Sequence, residues 1–81
     1  MPYLNLRTAK GMLSDEQKQT LMDRFTDALV EIEGGGNPEF RKMVWIQIEE
    51  GEPGQWQTGE IRPSPESVAS FVKRRDADRS N

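Results

Sequence analysis

Residues 14–36, SDEQKQTLMDRFTDALVEIEGGG, decide how the rest of the chain must be arranged. Ser14, followed three residues later by Gln17, is a capping box: the hydroxyl accepts from a first-turn N–H, and the amide reaches back to the Ser14 N–H. Asp15 and Glu16 suit the positive end of the helix dipole. Leu21, Phe25, Ala28, Leu29 and Ile32 recur at spacings of three and four, which makes one apolar stripe. Glycines at 34–36 supply C-terminal caps, and Pro38 forbids continuation. The reading is a long helix from Ser14 to near Glu33.

Strand patterns flank it on both sides. Tyr3–Thr8 alternates, with Tyr3, Asn5 and Arg7 on one face and Leu4 and Leu6 on the other. Lys10–Gly11 then offers a turn. After the helix, KMVWIQIEE (42–50) sets Val44, Ile46 and Ile48 on one face and Met43, Trp45 and Gln47 on the other. Two strands joined through a helix lie parallel, in a right-handed crossover. EGEPG (50–54) is turn chemistry, and QWQTGEI (55–61) reads as a short strand or hairpin bending at Gly59. SPES (64–67) starts a short helix with Ser64 as cap and Pro65 in the first turn, and Val68, Phe71 and Val72 form its narrow apolar face. KRRDADRSN (73–81) reads as a charged, flexible tail.

The fold class is therefore α/β: a β-α-β protomer with a C-terminal hairpin and short helix. Residues 1–72 form one domain, with 73–81 as tail. A helix and two strands leave a sheet face uncovered, so the two-strand parallel sheet is expected to be completed by oligomerisation.

Composition narrows the chemistry. The chain has 81 residues, 33% of them apolar, and neither cysteine nor histidine. Disulfides and cysteine-based metal sites are excluded, and the commonest acid/base group and metal ligand is missing. A net charge of −3 with scattered signs argues against a nucleic-acid partner. No apolar run spans a membrane and no signal peptide is visible, so the expected location is the cytoplasm. A small domain without staples favours association. An enzyme built from this chain needs an unusual proton carrier, and Pro2 directly behind the initiator methionine is the candidate.

A Met-Pro start, a short strand, a loop leading to LSDEQKQTL (13–21), a second strand and a GxWxxG-like hairpin resemble the 4-oxalocrotonate tautomerase family over roughly residues 2–62. The resemblance implies β-α-β protomers in homotrimers or homohexamers. It also implies a catalytic N-terminal proline, freed when methionine is removed, that moves a proton between enol and keto forms of a small 2-oxo acid. An isomerase of this kind needs no cofactor or metal.

The two arginines that bind a dicarboxylate in the best-known members fall near Leu13 and Val44 here, and neither position is basic. Candidates to hold a substrate carboxylate are Arg41, just before the second strand, then Arg7 and Lys10, with Arg62 weaker. Trp56 falls where the family places an aromatic pocket wall. Trp45 reads as a packing or interface residue, and Tyr3 as a packing residue or a hydrogen-bond donor near Pro2. Two alternatives stand beside this reading. One is a non-catalytic assembly subunit of the same fold; the other is a proline-dependent dehalogenase using a carboxylate among Glu49, Glu50 and Glu52.

Overall fold

The computed structural model describes residues 2–57 and 59–79. Its elements run β1 (Tyr3–Ala9), α1 (Asp15–Ile32), β2 (Trp45–Gly51) and α2 (Pro65–Arg79), with short 3-10 segments at Pro38–Met43 and Pro53–Gln55. β1 and β2 pair as a two-stranded parallel sheet, which is the expected β-α-β arrangement. No helix of the described residues is long and apolar enough to cross a membrane. The chain divides into two compact units, Met1–Leu6 with Ser14–Glu49, and Arg7–Leu13 with Glu50–Asn81.

In the first unit the strands enter together, the Trp45 N–H donating to the Pro2 carbonyl at 3.0 Å. Leu4, Leu6, Ile46 and Ile48 are half-buried, while Tyr3 and Trp45 on the alternate face are 58% and 61% exposed. That outer face carries a polar ladder. The Tyr3 hydroxyl donates to Gln47 Oε1, and Asn5 Nδ2 donates to the Tyr3 oxygen and, at 2.7 Å, to Glu49 Oε1. The α1 capping box forms as expected, Ser14 Oγ accepting from the Gln17 N–H at 3.1 Å and Gln17 Oε1 from the Ser14 N–H at 2.9 Å.

The covered stripe of α1 is rotated from the expected one. Leu21, Met22, Phe25, Thr26, Leu29 and Val30 are half-buried, whereas Ala28 is exposed and Ile32 is 82% exposed. Ala28 lies at the edge of that face, and Ile32 is the helix's last residue, past the turns that other residues cover. The helix ends where Gly35 and Gly36 adopt φ of 63° and 81°. Gly34 is required for a different reason: a Cβ there would sit 2.5 Å from the Phe40 ring. Asn37 caps the turn that follows, its Oδ1 accepting from the Glu39 N–H at 3.0 Å. This turn takes in Lys42 and Met43, so β2 starts at Trp45, later than the pattern suggested.

The second unit is built around Pro53 and Val68, the two buried residues among those described. Gly11 lies beside Val68, where a Cβ would make ordinary contact with Val68 Cγ1 at 3.5 Å; it is the φ of 96° that favours glycine there. The Lys10 N–H donates to the Gly51 carbonyl at 2.8 Å. Ser64 starts α2 as expected, with its Oγ accepting from the Ser67 N–H and Ser67 Oγ accepting from the Ser64 N–H.

Two elements here differ from expectation. The hairpin segment is tighter: the Gln55 and Trp56 N–H groups donate back to the Glu52 and Pro53 carbonyls at 2.9 and 3.2 Å, so these donors are used inside a 3-10 turn. Pro53 itself has no N–H to give a ladder. Among the described residues the segment supplies one bridge residue, Ile61. The last helix is longer than expected, because Lys73–Arg79 continue α2. Lysine, arginine and alanine are good helix formers, and Arg75 Nη1 ties this part down by donating to the Met12 carbonyl at 2.7 Å. Residues 80–81 lie outside the described residues, as does Met1, on whose removal the proline reading depends.

Candidate active site

Pro2 immediately precedes β1 and is half-buried. Its carbonyl is fixed by the Trp45 N–H, so the residue is held at the entry of the sheet. Tyr3 is engaged along the exposed strand face with Gln47 and Asn5.

The candidate cations fall into three settings. Arg41 lies in the Pro38–Met43 turn, and its Nη1 meets Asp27 Oδ1 of α1 at 2.7 Å, with both side chains about half exposed. Lys10 meets Glu52 at 3.4 Å, and both are well exposed. Exposed pairs of this kind contribute about 0–1 kcal/mol, so either cation can exchange its partner for another carboxylate at little cost. Arg62 is exposed in the coil before α2.

Arg7 has different surroundings. Together with Gly51, Gln55, Trp56 and Gln57 it lines a cavity of about 530 Å³ in the second unit. Two of the sequence candidates, Arg7 and Trp56, are thus brought to one place. The Pro53–Gln55 turn swings Trp56 back over the end of β2, where a Cβ on Gly51 would lie 2.7 Å from the indole Nε1. Gly51 is therefore bare because the indole occupies that space. Gln55 and Gln57 were not singled out beforehand, although the run Gln-Trp-Gln was visible in the sequence.

A guanidinium can grip a carboxylate through two parallel N–H···O bonds. An indole wall beside it removes water and strengthens that attraction. The cavity combines both with amide donors and acceptors. The two positions corresponding to the family's paired arginines, Leu13 and Val44, are half-buried apolar residues.

The family model for the tautomerase enzyme matches residues 2–62. Among solved structures, YwhB, a homologue of 4-oxalocrotonate tautomerase, is 26% identical, with a TM-score of 0.62 over 75% of this chain and 92% of that one. SAR1376 from methicillin-resistant Staphylococcus aureus, proposed to be a 4-oxalocrotonate tautomerase, is 31% identical, with a TM-score of 0.60 over 75% of this chain and 90% of that one. DmpI from Helicobacter pylori, at 20% identity, shares the fold with a TM-score of 0.60 over 85% of this chain and 97% of that one. No curated protein matches. The match begins at Pro2 and closes just past the Trp56 segment, and by it the chain belongs to the tautomerase family.

Proposed function

We propose that the protein is a cofactor-independent tautomerase that interconverts the enol and keto forms of a small 2-oxo acid, with the Pro2 amine as general base. The observation that carries this reading is the family match starting at Pro2 itself, in a chain that contains no histidine or cysteine to move protons. Removal of Met1 turns an amide nitrogen into a secondary amine. Such an amine works as a base near neutral pH when burial and a nearby cation disfavour its ammonium form. Pro2 takes the proton from the enol hydroxyl and returns it to the neighbouring carbon. The O–H bond breaks, a C–H bond forms and the π bond shifts from C=C to C=O, so no net oxidation or reduction occurs.

Arg7 is the leading candidate to hold the substrate carboxylate, because it shares a cavity with Trp56, which supplies the apolar wall. Arg41 and Lys10 follow, since neither lines the cavity that holds Trp56. A homotrimer or homohexamer is the expected assembly, since a small domain without disulfides favours association. The exposed Tyr3, Trp45 and Ile61 supply apolar surface for such an assembly.

One observation favours the second reading, a non-catalytic subunit of the same fold: apolar residues stand at both family arginine positions, Leu13 and Val44. Two measurements on untagged protein separate the readings. The tautomerase reading expects an intact mass lacking Met1 and ketonisation of phenylenolpyruvate, followed by ultraviolet absorbance, well above the rate in buffer. Retained methionine, or a rate equal to buffer, would leave the assembly subunit as the better account.

A further inference from the structure

α2 lies beyond the family match, which ends at residue 62, so its role rests on its own surface. One flank is anchored, by buried Val68 and by the hydrogen bond from Arg75 to the Met12 carbonyl. The other flank carries Phe71, Arg74 and Asp78, at the three- and four-residue spacing that lines one helix face. With Arg75 and Arg79 these residues line a shallow groove of about 550 Å³. Phe71 is 45% exposed there. Arg74 and Asp78 are both exposed, and neither makes an ion pair among the described residues. A cation placed N-terminal to the anion is the poorer orientation for a pair four apart on a helix, which leaves both charges open to another partner.

We infer that α2 is a self-docking element that pairs antiparallel with α2 of a second copy. A two-fold interface uses the same patch twice, so each contact must be reciprocal. This patch satisfies that condition. Arg74 meets the partner's Asp78 while Asp78 meets the partner's Arg74, with the two-fold axis crossing the seam midway between them, level with residue 76 along the helix. Phe71 and Arg79 are symmetric about Arg75, almost the same point, so the same axis places the Phe71 ring against the partner's Arg79, a favourable cation–π contact. A parallel pairing sets Arg74 against the partner's Arg74, like charge on like. The charge pattern therefore selects both the occupant and its direction.

The test is the mass of the full, untagged chain by sedimentation and native mass spectrometry, and it requires no enzymatic activity. Wild type is expected at twice the mass of Arg74→Asp and of Asp78→Arg, since each single change puts like charges together. The double variant Arg74→Asp/Asp78→Arg restores opposite charges and should regain the wild-type mass. Added salt should shift wild type and the double variant toward the smaller species. Equal masses for wild type and both single variants would overturn the inference. So would a double variant that stays at the mass of the singles, because the association would then not rest on these reciprocal pairs.

Discussion

Arg41, just before β2, and Arg7, within β1, are both exposed arginines, yet their surroundings set them apart. Arg41 projects from a 3-10 turn onto α1, where Asp27 already answers its charge. Arg7 lines a cavity whose other walls are an indole and two amides. Distance along the sequence from a family arginine position pointed to Arg41; the environment that makes a guanidinium effective points to Arg7. Position in a motif tells where a cation could be supplied, but the value of a cation depends on how far water is excluded around it.

The comparison can be broken by substitution. Arg7→Ala should lower kcat/KM on phenylenolpyruvate by about 100-fold, the scale of a charge-assisted hydrogen-bond pair, with the melting curve little changed. Gly51→Ala attacks the same cavity through its wall, since the new methyl group occupies the space of Trp56 Nε1. It should reduce kcat/KM about tenfold and shift Trp fluorescence as the indole moves.

The turn that carries Arg41 can be disturbed without touching the arginine. Gly34→Ala drives a Cβ into the Phe40 ring and should cost about 1–3 kcal/mol of stability, lowering Tm while the native fraction keeps its kcat/KM. If this variant lost activity in proportion to an Arg41 variant, the turn would belong to the site after all. Arg41→Ala itself should have the smallest effect, less than about threefold in kcat/KM and under about 1 kcal/mol in a denaturation curve.

The fold was legible where local chemistry agrees with the tertiary outcome. The Ser14–Gln17 box, the glycines after Glu33 and the Ser64–Pro65 start each mark a helix end by hydrogen bonds made within a few residues. The alternation in Tyr3–Thr8 and from Val44 onward gave both strands. Local signals were less reliable at Ile32, whose apolar character promised burial that the end of the helix does not provide. They also missed the fate of residues 52–57, because a turn with Pro53 and Gly54 fits a hairpin and a 3-10 turn equally well. In the candidate site, Arg7 and Trp56 could each be named from the sequence. Their shared cavity could not, since it follows from the return of Trp56 onto Gly51, a contact no periodicity encodes.

The account stands on the Pro2 amine. Ketonisation of phenylenolpyruvate should therefore be measured for wild type and Pro2→Ala side by side, both untagged and both verified as folded by circular dichroism. Loss of a positioned general base predicts a fall of about 10²–10⁴-fold in kcat, with helix content unchanged. A Pro2→Ala protein that keeps the wild-type rate would contradict proline catalysis outright.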